Sequence, residues 1–376
     1  MTRTAALQHF QANYVKGISQ AKLLAVEAYF RQHREELAVD FINSFQAICH
    51  QAQTMQRQQA KGKIAYVHYS WLRTRILEGD YRVLIQAYDN NWYLDRRECR
   101  AEYDAGWLWR FWQEFAAELE MKRRPYLNRI TGADLERIIL REAVNYSLYL
   151  VNLGRWALYR YETTNGYLEI EREAEFEVRL GEYRDLSEII FKADHRAKDS
   201  REIRNWLAEK TPFEYCYEVL RGLNLEAGDY EGLDLRFCDL RECNLSRSNL
   251  QNTILLGVKM AGSRLDGANL QGALIYEADF SKSSLRTADF SEAEGPFGLM
   301  TGSEWQRPGF DRISFREADL TGAVFKDCQL QGADFRGARL EKVDFEGANL
   351  HEALFYSTDR QSVKLTRRQM AEICWV

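Results

Sequence analysis

Three places in the chain carry residue types from which chemistry can be built. His33, Glu36 and Asp40 recur at helical spacing, so their side chains share a face and could meet one divalent ion. The same trio is also the ordinary charge of a solvated helix surface. Cys49 and His50 are sequence neighbours, and neighbours on a helix point apart, which disfavours a thiolate–imidazole pair. Trp107, Trp109, Phe111, Trp112 and Phe115 make a dense aromatic cluster. Within it Leu108, Phe111, Trp112, Phe115 and Leu119 are spaced for a core, leaving Trp107 and Trp109 as candidate partner-binding residues. No phosphate loop, nucleophile elbow or paired metal motif is present. The expectation is therefore a chain that is not an enzyme, with no catalytic residues, no cofactor and no metal.

The elements around these residues follow from periodicity. Ile18 to Gln59 reads as a helix that buries Leu37, Phe41, Phe45, Ile48 and Met55. Lys63 to Leu77 and Tyr81 to Asp95 are rich in Tyr, Val, Ile and Trp, and Glu78-Gly79-Asp80 between them makes a β-hairpin. Helices are expected at about 104–123, 134–161 and 199–209, while 167–191 fits strand or helix equally. Residues 1–210 thus read as a mostly helical α+β domain. The apolar stretch from Ala143 to Tyr161 contains Asn145, Asn152, Arg155 and Arg160, so it suits a buried helix and not a membrane span.

Composition sets further bounds. The 376 residues suffice for two domains, and 45% hydrophobic residues with only 4 prolines argue for folded structure throughout. The net charge is −5, but from Gly222 to Phe355 there are 14 Lys or Arg against 22 Asp or Glu, leaving the rest of the chain at +3. The acidic part is a poor direct ligand for nucleic acid. The seven scattered cysteines lack any CxxC spacing and the first ten residues lack a signal peptide's apolar core, so the protein is expected in the cytoplasm with reduced thiols.

The acidic part repeats every five residues. Leu225, Tyr230, Leu235, Leu240, Leu245, Leu250, Leu255, Met260, Leu265, Leu270, Ile275, Phe280, Leu285 and Phe290 occupy one phase. The phase resumes as Phe310, Phe315, Leu320, Phe325, Leu330, Phe335, Leu340, Phe345, Leu350 and Phe355. Two residues earlier stands a small side chain: Ala268, Ala273, Ala278, Ala318, Ala323, Ala333, Ala348, or Cys238, Cys243 and Cys328. Asp or Asn often precedes the bulky residue. Neither a helix nor a strand has this period. A chain that turns about a right angle every five residues does, aiming one large and one small side chain at its axis, and stacked coils then bury a continuous column.

Segments such as ANLQG, ADFSK, ADLTG, ADFRG and ANLHE resemble the pentapeptide-repeat family, whose consensus is A(D/N)LXX. The resemblance implies a right-handed quadrilateral β-helix over 223–356, in a bacterial protein. Gly132-Ala133-Asp134-Leu135 fits the consensus once, yet reads as a helix start capped by Thr131. Between Phe290 and Phe310 the pattern lapses (291–309). Those two residues are one twenty-residue coil apart, which keeps the faces in register, with Met300 and Trp305 filling bulky slots. A bulge there makes Pro296 and Trp305 candidate partner-binding residues. Residues 211–222 are expected to form a helical cap, with Thr211 as N-cap, Pro212 next and Gly222 as stop. Residues 357–376 form a second capping helix, with Thr366 as N-cap and Met370, Ile373 and Cys374 inward. The apolar terminus offers Ile373, Trp375 and Val376 as a homodimer contact, since relatives in the quinolone-resistance branch dimerise through this end.

The leading functional reading is a protein–protein interaction scaffold or adaptor built on an acidic rod, with an unidentified protein partner and neither membrane nor nucleic acid as ligand. Two alternatives stand beside it. One, implied by the resemblance, is a DNA mimic that modulates a type II topoisomerase such as gyrase. The other is an N-terminal enzyme domain with the repeats as a targeting arm.

Overall fold

The computed structural model describes residues 2–160, 165–297 and 309–376. The chain forms two compact units, Met1–His195 and Arg196–Val376.

The first unit combines helices with one sheet. Helix α1 (Arg3–Phe10) runs through a wider π turn, Gln11–Val15, into the 42-residue α2 (Lys16–Arg57). Then come β1 (Ile64–Trp71), α3 (Arg73–Leu77), β2 (Arg82–Tyr88), β3 (Arg100–Asp104), α4 (Gly106–Arg123), α5 (Gly132–Arg160), α6 (Asn165–Glu169), β4 (Arg172–Glu182) and β5 (Ser187–Asp194). The sheet order is β3-β2-β1-β4-β5, with β1 antiparallel to β2 and parallel to β4. The expected hairpin is there, but its first arm stops at Trp71 and the rest coils into α3. The ambiguous stretch resolves into the antiparallel pair β4 and β5. Strand β3 has the charged sequence RAEYD, which carries no alternation to announce it. Helix α5 buries the apolar stretch, and Asn152 donates its amide to the Leu148 carbonyl. No described helix is long and apolar enough to cross a membrane. Thr131 caps α5 as expected, its hydroxyl accepting from the Asp134 amide while Asp134 accepts from the Thr131 amide.

In the second unit α7 (Ser200–Ala208) is capped by Asp199, which accepts from the Arg201 and Glu202 amides. The repeats follow. Most five-residue segments are turns closed by the amide three residues after the bulky one, as Ser248 N–H donates to the Leu245 carbonyl. Such a turn demands positive φ at its third residue. That residue is glycine at 257, 262, 267 and 272 but Phe237, Glu242, Arg247 and Thr287 elsewhere, with φ between 56° and 61° in those four. The recurrent Asp or Asn has a matching job. Its side chain accepts the amide two residues on, as Asn249 does from Gln251 and Asp279 from Ser281, and so fixes the corner from outside.

Successive coils pair in parallel at residues twenty apart, in four columns. One runs Val219, Asp239, Lys259, Asp279; the second Asn224, Asn244, Arg264, Ser284; the third Asp229, Asn249, Asn269, Asp289; the fourth Asp234, Ile254, Leu274, Glu294. Inside, the bulky and small side chains are buried in one continuous core from Leu220 to Phe355. Leu235, Leu240, Leu245, Leu250, Leu265, Leu270, Leu320, Leu330, Leu340 and Leu350 all lie in it, as do the alanines of the small slot. Its later half is aromatic. Phe280, Phe315, Phe335 and Phe355 stack in one file with ring centroids 4.8–5.3 Å apart, and Phe290, Phe325 and Phe345 in another.

Three expectations need correction. Residues 211–222 are not a helix: Tyr215 and Leu220 turn inward as a first coil, and Tyr217 pairs with Arg236 of the next. Pairing to the neighbouring coil outweighs the local helix signals, and α7 is the helix at this end, with Leu207 in the column. The lapse after Phe290 is not one coil. Asp279 pairs with Ser314, thirty-five residues on, and Phe315 follows in the slot above Phe280. Phe310 is therefore outside the column, only half-buried, its amide donating to Glu277. Gly295 takes the bulky slot because the Ile313 and Ile275 side chains already crowd the space a Cβ would need. Met300 and Trp305 lie outside the described residues. Finally, α8 (Arg367–Glu372) is short, and Cys374-Trp375 leave it as β7, pairing in parallel with β6 (Leu354–Phe355).

The corner geometry gives a paired prediction. Thr287 is β-branched in a conformation that costs an L-residue about 1–2 kcal/mol. Thr287→Gly is expected to raise stability by about 0.5–1 kcal/mol in denaturant unfolding. At Gly257 φ is +61° and the Phe237 ring lies 2.4 Å from where a Cβ would stand, so Gly257→Ala is expected to lower it by about 1–3 kcal/mol.

Candidate interaction surfaces of the repeats

The four columns present different chemistry outward. Beside the first, Arg221 and Arg241 both reach Asp239 (2.6 and 2.7 Å), and Arg336 reaches Asp334 at 2.7 Å. Beside the second, Arg247 pairs with Glu226 and Arg286 lies near Asp319. Both faces therefore alternate in sign. The third face carries Asp229, Glu231, Asp289, Glu292, Asp327, Asp344 and Glu346 with amides between them. Asn249 donates to Asp229, Gln251 to Gln271, and Gln271 to Asp289 at 2.6 Å. Lys326 lies between Asp344 (3.5 Å) and Glu346 (3.3 Å), and Lys210 reaches Asp229.

The fourth face is polar at Asp234, Glu294, Gln329 and Asn349 but apolar on its outside between them. Ile254 and Leu274 hold the column positions that elsewhere often take Asp or Asn, Leu256 and Tyr276 follow two residues on, and all four are half-buried. Tyr217 stacks on Phe237 at 5.1 Å, and the Phe237 ring lies over Gly257, extending the strip along the coils. The period-five pattern concealed these residues, because attention to the inward slots treats every other position as solvated. The signal was present: four apolar residues stand where the repeat calls for polar ones.

The expected partner-binding residues fare differently. Trp109 is fully buried, 5.5 Å from Trp71, because it lies on the side of α4 turned to the sheet. Trp107 is half-buried, with its indole donating to the Tyr103 hydroxyl at 3.0 Å. Pro296 is buried. Trp305 lies outside the described residues. At the terminus Ile373 is buried in the column and Trp375 rests on Phe355, its indole donating to the Met370 carbonyl. Cys374 is exposed, not inward. Of the three expected homodimer contacts Ile373 is buried, Trp375 half-buried and Val376 exposed. The terminus also closes the stack. Thr366 and Gln369 cap each other in α8, and the buried Gln369 amide donates to the Phe345 carbonyl, which also accepts from the Ala348 amide, and to the Ala348 carbonyl, which has no further coil to meet.

The reactive residue types are placed as packing. Cys238, Cys243 and Cys328 donate their thiols to the carbonyls of Tyr215, Leu220 and Phe290. Burial pushes the Cys243 and Cys328 thiols up to about 12, far from the thiolate needed for chemistry. His33 meets Glu36 at 3.2 Å and stacks on Tyr29, and no group of three or more His, Cys, Asp or Glu among the described residues is arranged to hold a metal. Cys49 is buried, with burial raising its thiol to about 12.

A stack of turns with this period, corner chemistry and small-and-large interior defines a repeat protein of the pentapeptide class. Family models described as pentapeptide repeats match residues 220–257, 231–265, 253–291 and 310–358. Residues 220–358 belong to the pentapeptide-repeat family. Among solved structures the chain is similar to HetL, a pentapeptide repeat protein involved in heterocyst differentiation regulation from the cyanobacterium Nostoc. The two are 21% identical over 43% of this chain and 98% of that one, with a TM-score of 0.13. It is also similar to QnrB1, a plasmid-mediated fluoroquinolone resistance protein, at 17% identity over 43% and 81% of the two chains and a TM-score of 0.24. A third is Rfr23 from the cyanobacterium Cyanothece 51142, at 19% identity over 41% and 99% and a TM-score of 0.17. No curated protein matches the sequence.

Gln369 gives a test of the cap. Gln369→Leu keeps the volume but leaves the buried Ala348 carbonyl unpaired, and is expected to destabilise the second unit by about 1–3 kcal/mol, read as an earlier denaturation midpoint.

Proposed function

We propose that this chain is a non-enzymatic interaction scaffold whose repeats form a right-handed quadrilateral β-helix and bind a protein partner. The observation that carries the reading is the apolar outer strip of the fourth face. Repeat faces that only need to dissolve are polar, as the other three are. Half-buried Ile254, Leu256, Leu274 and Tyr276 lie side by side on adjacent coils, a rigid platform that loses little entropy on binding. The partner would place an apolar surface of its own against this strip. The resemblance to pentapeptide-repeat proteins and the seven unpaired cysteines, five of them buried, support action in the cytoplasm of a bacterium. Leu256→Glu and Tyr276→Glu change outward side chains only, so folding should persist while capture of the partner by the full chain falls at least tenfold. A partner retained at full strength by the folded double variant would exclude this face.

A second reading has one face in its favour. The third face carries seven carboxylates with Lys326 set among them, which suits a DNA mimic acting on a type II topoisomerase. The first two faces interleave arginines with their acids and argue against it. If the reading holds, the full chain inhibits gyrase supercoiling and Glu231→Lys with Glu292→Lys relieves the inhibition. No inhibition at micromolar protein would discard it.

A further inference from the structure

The sheet of the first unit has a second chemical centre. Val67, Tyr69 and Trp71 of β1 face the helices: Tyr69 stacks on Phe41 of α2 at 4.7 Å, and Trp71 meets Trp109 of α4. Alternation sends Tyr66, His68 and Ser70 to the opposite face. There the connection between β2 and β3 folds back, and Trp92 and Tyr93 cover the strand. Trp92 stacks on Tyr66 at 4.3 Å and lies 5.6 Å from the His68 ring, and Tyr93 lies 5.5 Å from His68 and from Tyr88.

This cover is held at a cost. Trp92 has φ +52°, a conformation that costs an L-residue of this size on the order of 1–2 kcal/mol. The connection is pinned by a fully buried ion pair, Lys61 to Asp95 at 2.6 Å, with Lys61 also donating to the Arg97 carbonyl. Arg97 in turn reaches Asp89 at 2.6 Å, and Asp89 accepts from the Asn91 amide. A buried pair adds little net stability but fixes one conformation. Here the conformation fixed is that of the strained tryptophan.

Two buried polar atoms in this centre have no protein partner, His68 Nε2 and Trp92 Nε1. The other ring nitrogen of His68 meets the Tyr93 hydroxyl at 3.4 Å. With that hydroxyl donating to Nδ1, Nε2 is left as an N–H donor, like the indole of Trp92. Burial, and then the charge of Arg179, push the His68 pKa down to about 4, so at neutral pH the ring is uncharged. The charged groups around it are Arg179, which lies over the Trp92 ring at 5.5 Å and bonds Glu177, then Lys192 near Glu175 and Glu177, and Arg184 over Tyr93. Two unpaired N–H groups beside an arginine fit an acceptor oxygen that carries negative charge.

We propose that the His68–Trp92 face of the sheet is a binding site for a small carboxylate, held by His68 Nε2–H and Trp92 Nε1–H with Arg179 supplying the favourable field. The site is independent of the repeats and of the interaction strip.

The test uses the full chain and acetate, with sodium chloride at matched ionic strength as control. In nitrogen-resolved NMR the Trp92 indole N–H is identified by its loss in Trp92→Phe, and the His68 ring by its loss in His68→Gln. Both wild-type signals are expected to move downfield and saturate with acetate but not with chloride. The Trp92→Phe variant, which keeps the stack on Tyr66, should lower acetate affinity at least fivefold as read on His68. Unmoved His68 and Trp92 signals up to 100 mM acetate, or equal shifts in chloride, would overturn the proposal. The wild-type titration decides this even if a variant fails to fold.

Discussion

The second unit depends on a backbone ladder between residues twenty apart. The amide of each bulky residue donates up to the next coil, as Leu245 does to the Arg264 carbonyl, while the residue before it donates down, as Asn244 does to Leu223. No coil can satisfy its own backbone, so none is stable alone. This explains why the corners tolerate left-handed Phe237, Arg247 and Thr287. The strain at each corner is small against the ladder bonds and buried side chains that the corner permits. It also explains the ends. Where the ladder runs out, Gln369 and the terminal strand supply what another coil would have.

How far the sequence was legible follows from how local each signal is. The inward slots were readable because the same five-residue rule is written many times, and Leu240 or Phe325 need only obey it. The outward strip at Ile254, Leu256, Leu274 and Tyr276 shows only when residues twenty apart are set side by side. The thirty-five-residue step from Asp279 to Ser314 was not readable. Phe310 keeps the right phase in sequence, and only the ladder shows that it lies off the column. Thr211 and Pro212 gave true local helix signals, yet the inward pull on Tyr215 prevailed.

The first unit was harder for a physical reason. Its organisation rests on single long-range events: the parallel pairing of β1 with β4, the buried Lys61–Asp95 pair, the return of Trp92 over Tyr66. Helix α2 and the core positions of α4 were legible because an amphipathic helix states its own buried face. Trp109 shows the limit of that reading. The side chains of α4 are buried over a wider arc than the core stripe alone, since a sheet and a second helix meet it on different sides. The centre at His68 has no sequence signature. A lone histidine in a strand becomes chemistry only through what folds over it.

The thirty-five-residue step has a consequence of another kind. The ladder runs through Phe297, whose amide donates to the Gln331 carbonyl, and continues with Ile313 and Ser314 at the next corner, so stacked neighbours here differ by fifteen residues more than the usual twenty while the pairing on either side keeps its spacing. Fifteen is three sides and not four. Sequence phase and spatial face therefore part company at this point: a segment whose number assigns it to one face sits on its neighbour. The pairing rule therefore fixes which side meets which, and leaves the number of residues between two sides free at this one corner.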